Sequence, residues 1–202
     1  MAHRFNPDRL HVLNDPEREK MLDPAVLWES FGVDRPVCAV DLGAGTGFFA
    51  VRFIPRLARG GTIWACDTDP GMVAWMREHL TVAQLENVRP LLTGESDIGL
   101  PDASADLAYL VNVFHELDDA LRTLREIVRV LKPGAPLAVV DWKKEPMPHG
   151  PPVSRRVDGE VIRRQMERAG LTGLAEPASL PFHVFFTGRK EPKGRQAVLQ
   201  EA

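Results

Sequence analysis

The segment Asp41-Leu42-Gly43-Ala44-Gly45-Thr46-Gly47 constrains this chain more than any other. It follows the apolar run Val37-Cys38-Ala39-Val40 and precedes a helical stretch, Phe48 to Leu57, that Gly60-Gly61 breaks. Glycines at alternate positions let the backbone turn sharply from strand into helix and let a ligand approach closely. A strand, a glycine turn and a helix in that order belong to an open α/β sheet, whose ligands lie beyond the carboxyl ends of the strands. Dinucleotide folds space these glycines as G-x-G-x-x-G. Here Phe48 stands at the third glycine's place, the spacing is G-x-G-x-G, and an acid precedes the first glycine by two residues. That carboxylate suits a site holding a cation better than one cradling a phosphate.

Strand and helix signals alternate on both sides of this turn. Upstream, Asp15-Pro16 and Asp23-Pro24 each offer an N-cap followed by a proline at the first helical position. Downstream, Thr62 to Cys66 reads as a second strand closing at Asp67, and Asp69-Pro70 opens the next helix. Strands follow at Val88–Leu92, Asp106–Phe114 and Leu137–Val140, with an amphipathic helix from Ala120 to Leu131 before the last of them. Residues 143–153 hold four prolines and exclude regular structure. A helix from Gly159 to Ala169 leads to two apolar runs, Leu171–Glu176 and Phe182–Thr187, which read as a hairpin. The expected fold is a doubly wound, mostly parallel seven-stranded sheet with N-terminal helices and a C-terminal antiparallel hairpin. Residues 1–35 read as a helical segment, 36–188 as the domain and 189–202 as a polar tail.

With 202 residues, 44% of them hydrophobic, the chain can bury one substantial core. Its net charge of −3 gives no bulk attraction to nucleic acid or anionic membrane. Two cysteines, both within strand-like runs, exclude a disulfide framework. With no signal-type apolar run from Met1 to Leu10 and no stretch near the ~20 apolar residues of a membrane helix, a cytoplasmic location is expected.

Over residues 36–141 the sequence resembles the class I S-adenosylmethionine-dependent methyltransferases, whose first motif, acid-x-Gly-x-Gly-x-Gly, is matched without gaps by Asp41 to Gly47. Asp67-Thr68-Asp69-Pro70-Gly71-Met72 looks like the family's D-x-S-x-x-M segment. Leu124 to Gly134 is similar to the R-V-L-K-P-G-G signature of the ubiquinone/menaquinone methyltransferase-like (type 11) branch, although Ala135 replaces its second glycine. The resemblance implies a Rossmann-like fold that binds S-adenosylmethionine and methylates a small-molecule acceptor. It implies cofactor contacts from Asp41, Gly43, Ala44, Gly45 and Gly47, from Asp67 to the ribose hydroxyls, from Thr68, and from Met72 to adenine. It also implies that Glu95 and Ser96 lie near the adenine amino group and that Asn112 belongs to the site.

His115, in the same segment as Asn112, stands as the candidate catalytic base or acceptor-orienting group, the alternative being a helix cap. Asp141 either binds acceptor or forms a structural ion pair, and the His149–Pro152 loop with Arg155 and Arg156 is a lid or a solvated connection. His3, Phe5 and His11 either cover the acceptor or pack. Cys38 and Cys66 read as packing residues. Arg122, Arg125 and Arg129, like Arg164 and Arg168, read as solvated helix faces. No metal-ligand spacing is present, since Asp119 stands where H-E-x-x-H needs its second histidine. Two other classes share such a sheet. A nicotinamide oxidoreductase is disfavoured by Phe48 and by Val113 four residues after the lone Tyr109, where a Tyr-x-x-x-Lys pair needs lysine. A non-catalytic cofactor-binding module is not excluded by any motif.

Overall fold

The computed structural model describes residues 10–192. His3, Phe5 and the tail beyond residue 192 lie outside the described residues, as does the side chain of His11. Seven strands form one sheet: β1 Cys38–Leu42, β2 Thr62–Asp67, β3 Val88–Leu92, β4 Leu107–Val111, β5 Pro136–Trp142, β6 Leu171–Ala175 and β7 His183–Lys190. Their order is β3-β2-β1-β4-β5-β7-β6. β1 to β5 run parallel, and β7 is antiparallel to both β5 and β6. The order reverses between β1 and β4, which puts the switch point where the glycine turn emerges. Pro90 is tolerated in β3 because that strand is an edge.

The helices are α1 Leu10–Leu13, α2 Arg18–Met21, α3 Pro24–Ser30, α4 Phe48–Phe53, α5 Pro70–His79, α6 Val82–Leu85, α7 Ala120–Val130 and α8 Gly159–Arg168. Strand residues divide by their period of two between two cores. Ala39, Tyr109 and Val140 face Leu27, Phe31 and Phe53. Val40, Leu110 and Val139 face Leu124, Ile127, Ile162 and Met166. The near-continuous apolar strands of the sequence are thus explained by burial on both faces. α3 is part of this core: Phe31 stacks on Tyr109 at 5.5 Å between centroids and meets Phe53 edge-on at 5.6 Å. None of the helices among the described residues is long and apolar enough to cross a membrane.

Element boundaries depart from the sequence expectation most clearly at α4, β4 and β7. α4 stops at Phe53 and a 3-10 turn, Ile54–Arg56, replaces its last residues, because Pro55 has no N–H to continue the helix. β4 ends at Val111, three residues before Phe114: Asn112 turns into the left-handed region (φ 61°), which asparagine tolerates better than most residues. β7 runs on to Lys190, so Arg189 belongs to the sheet, donating to the carbonyls of Gly134 (3.0 Å) and Gly32 (2.8 Å).

Asp119 caps α7, its Oδ1 accepting from the Arg122 N–H at 3.0 Å. Asp119→Ala is expected to lower unfolding free energy by about 1 kcal/mol, the usual value of an N-cap. Urea denaturation with an unchanged slope checks it.

Candidate active site

The β1 turn is shaped by close packing. Gly43 has φ 72°, and a Cβ there would stand 2.5 Å from a Val113 methyl, so no larger residue fits. The N–H groups of Gly43 and Ala44 both donate to the Cys66 carbonyl at 2.9 Å, which ties the turn to the end of β2. Asp67, the last residue of β2, completes the tie. Its Oδ2 accepts from Gly45 N–H at 2.8 Å and its Oδ1 from Asp69 N–H at 2.9 Å. Asp69 in turn caps α5, accepting from Gly71 N–H at 2.7 Å.

A cavity opens beyond these strand tips at the switch point. Of the twelve residues expected to form the site, nine line it: Asp41, Gly43, Ala44, Gly45, Asp67, Thr68, Met72, Glu95 and Asn112. The other three stand behind its wall. Gly47 (φ 75°) is the N-cap position of α4, packed toward the Met76 sulfur. The Ser96 hydroxyl is engaged with Thr123 Oγ1 of α7 at 3.1 Å. Glu95 Oε1 accepts from Asp119 N–H at 3.0 Å, so the acid is oriented while it faces the cavity.

His115 is the third. Its backbone N–H donates to Asp141 Oδ2 at 2.9 Å, and its Nδ1 lies 2.8 Å from Asp141 Oδ1. A carboxylate can only accept, so Nδ1 carries the proton. Nε2 then points toward Glu116 Oε1, 3.7 Å away, and it is Glu116 that lines the cavity. The expectation that the imidazole itself faces an acceptor is corrected by this order, Asp141 to His115 to Glu116. Burial works against the imidazolium, but the hydrogen bond and charge of Asp141, with Glu116 beyond, raise its pKa above the ordinary histidine value.

Asp41 is fully buried, and burial pushes its carboxyl up to about 7. The neighbouring Tyr109 hydroxyl lowers it, Asp67 raises it and Arg18 lowers it. Burial also raises Asp67, against the pull of the Asp69 and Gly45 N–H groups.

Arg156, read from the sequence as part of a lid or a solvated connection, has the geometry of a loop clamp. The guanidinium donates to four carbonyls of the proline-rich segment: Pro151 (2.7 Å), Glu145 (2.7 Å), His149 (2.8 Å) and Lys143 (3.2 Å). Gly150 lies flat against the Trp142 indole, where a Cβ would come within 2.7 Å. Sequence reasoning missed Arg18, Leu13, Phe49 and Thr93, all in the cavity wall, and noted Phe48 only as a departure from a dinucleotide pattern. No group of acids, histidines and cysteines suited to a metal is present among the described residues.

A nucleoside with a cationic amino-acid tail matches this donor and acceptor set. Thr93 Oγ1 and Asn112 Oδ1 are buried in the cavity wall without a hydrogen-bond partner among the described residues, the backbone turn leaves room at Gly43 that only glycine permits, and Asp41 and Asp67 supply negative charge.

A model of the methyltransferase domain matches residues 40–139. The chain is 28% identical over 116 residues (57% of this chain, 49% of the relative) to a demethylmenaquinone methyltransferase of Listeria monocytogenes. It is 30% identical over 128 residues (60% and 50%) to a ubiquinone/menaquinone biosynthesis C-methyltransferase of Hydrogenovibrio crunogenus. It thus spans about half the length of the curated relatives it matches. A crystal structure of a SAM-dependent methyltransferase from Aquifex aeolicus superposes with a TM-score of 0.81 at 31% identity, covering 92% of this chain and 97% of that one. Turn, strand order and near full-length likeness agree, and the chain belongs to the S-adenosylmethionine-dependent methyltransferases.

Proposed function

We propose that this chain transfers a methyl group from S-adenosylmethionine to a small-molecule acceptor. The observation that carries the reading is the Asp67 carboxylate at the tip of β2, facing the cavity beside a turn where Gly43 leaves no room for a side chain. When bound, S-adenosylmethionine supplies a methyl on a sulfonium, an already activated leaving group. The residues therefore have mainly to align and to exclude water.

In this reading Asp67 accepts both ribose hydroxyl protons, a charge-assisted pair. Met72 packs on the adenine, Thr68 and Glu95 border it, and Ser96 stands behind them, held to Thr123. Gly43, Ala44, Gly45 and Gly47 bring the backbone close, and Asp41 and Asn112 face the amino-acid tail. An acceptor that arrives protonated would give its proton to Glu116, with His115 as the residue that holds that carboxylate and Asp141 as the group that orients the ring. The apolar walls Leu13, Val113 and Leu117 support a small organic acceptor. Residues 1–35 would serve as its cover, since Leu13 and Arg18 already reach the cavity. The cysteines, Cys66 buried and Cys38 half-buried, are both free, which supports a reducing cytoplasm, and the net charge of −3 argues against nucleic acid as substrate.

Calorimetry with S-adenosylmethionine and S-adenosylhomocysteine tests the cofactor half, and absence of binding to both overturns it. A metabolite screen with an isotopically labelled methyl donor tests the acceptor half. Once an acceptor is found, Asp141→Asn is expected to lower turnover by about tenfold, at the weak end of acid–base contributions, with cofactor affinity unchanged. The variant removes the charge that raises the His115 pKa, so the imidazolium beside Glu116 is lost at lower pH and the alkaline limb of the pH–rate profile should move to lower pH. An unmoved limb assigns Asp141 to loop structure alone.

A further inference from the structure

Arg18 lies on α2, outside residues 40–139, and none of the sequence motifs includes it. Yet its guanidinium lines the cavity, over the rings of Phe48 (4.5 Å to the centroid) and Phe49 (5.1 Å). A guanidinium presents five N–H donors in a rigid fork. Here Nη1 donates to the Leu13 carbonyl, and among the described residues no carboxylate forms an ion pair with the group. Arg18 is half-buried, and a cation withdrawn this far from water is ordinarily paired, because desolvation is expensive. Burial and the neighbouring Arg52 hold Arg18 down to about 10, and Asp41 is the acid that acts against them. His183 offers no help: it is buried, both ring nitrogens lack partners among the described residues, and burial together with Arg18, Lys143 and Arg156 keeps it uncharged.

We propose that Arg18 binds the α-carboxylate of the cofactor's amino-acid tail, while Asp41 faces the α-ammonium of the same tail. The proposal rests on the methyl-transfer reading above. The shared chemistry is a carboxylate, which an acidic acceptor could also bring, and Asp41 decides between the sources. A simple acid entering beside Asp41 meets a like charge, whereas a zwitterion offers each of the two side chains its opposite. The position agrees: Asp41 lies near the end of β1 and the Arg18 guanidinium over the first turn of α4 that follows it, whereas the residues assigned to the nucleoside, Asp67, Met72 and Glu95, end β2 or follow β2 and β3. Phe48, which takes the place of a dinucleotide fold's third glycine, becomes the platform on which the guanidinium lies.

The test needs no acceptor. Calorimetry compares S-adenosylhomocysteine with 5′-methylthioadenosine, which keeps the nucleoside and sulfur but has neither carboxylate nor ammonium. Arg18→Met retains the apolar stem over the two rings. It should bind S-adenosylhomocysteine about 10–100-fold more weakly than the native chain, with methylthioadenosine within about twofold, since a charged hydrogen-bond partner is lost only for the first probe. Arg18→Lys keeps a point charge without the fork and should lose about 3–10-fold for the first probe alone. If thermal melting shows that Arg18→Met does not fold, Arg18→Lys carries the same comparison. Unchanged affinity for S-adenosylhomocysteine overturns the assignment and leaves Arg18 to an acidic acceptor. Equal loss for both probes also overturns it, in favour of packing. A native chain that binds neither probe overturns the methyl-transfer reading itself, a distinguishable result.

Discussion

Asp67→Ala should bind S-adenosylhomocysteine at least 100-fold more weakly than the native chain in a calorimetric titration. Two losses combine. The carboxylate that would accept both ribose hydroxyls disappears, and charged hydrogen bonds contribute roughly 1.5–3 kcal/mol each. The same oxygens also accept from Gly45 and Asp69, so the glycine turn loses its tie to β2. The second loss is a matter of preorganisation, and it separates Asp67→Asn from Asp67→Ala. Asparagine keeps one side-chain oxygen for one of the two backbone N–H groups, so its melting temperature should lie between those of the alanine variant and the native chain. If Asp67→Ala matches native affinity, the ribose assignment fails. If it loses affinity while melting at the native temperature, the turn is held by the two bonds to the Cys66 carbonyl alone.

What could be read from the sequence is what local chemistry determines. A glycine that must have positive φ, an acid at a strand tip and a proline after an aspartate each act within a few residues, and Asp41, Gly43, Asp67 and Asp69 stand where their spacing places them. The unread residues depend on distant parts of the chain. Arg18 reaches the cavity only because α3 buries Trp28 and Phe31 against Phe53 and carries the preceding segment over the sheet. Nothing within a few positions of Arg18 distinguishes it from any exposed arginine. His115 turns on one dihedral. The left-handed turn at Asn112 sets Val113 against Gly43 and Phe114 into the core, which leaves the imidazole beside Asp141 rather than in the cavity. Arg156 reads locally as one more exposed loop arginine, but four carbonyls of a loop rich in prolines, which donate no N–H, use its donors.

Asp41→Asn is expected to make the protein more stable above pH 7 and to remove most of its cofactor affinity. In the folded chain burial holds the Asp41 carboxyl at about 7, against 3.8 for the unperturbed group. As pH rises from below 3.8, the unfolded chain releases this proton while the folded chain keeps it. Stability therefore falls across the window up to about pH 7 and levels off above it. The gap of about three pH units sets an upper bound of about 4 kcal/mol on what the ionised carboxylate costs the fold. A neutral amide of nearly the same shape avoids that cost, so at pH 8 Asp41→Asn should gain about 2–4 kcal/mol in unfolding free energy. Asp67, also raised by burial, keeps its smaller share of the same slope in the variant. Binding has the opposite sign. An ammonium at Asp41 requires the ionised form, so native affinity for S-adenosylhomocysteine should strengthen as pH rises toward 7, by up to about tenfold per unit, and then flatten. In Asp41→Asn the affinity should be low and nearly independent of pH. A native affinity that is flat from pH 5 to 8, or a variant no more stable than the native chain at pH 8, would remove Asp41 from this role. The pairing of a stability gain with a binding loss is the expected mark of a charge kept buried for a ligand rather than for the fold.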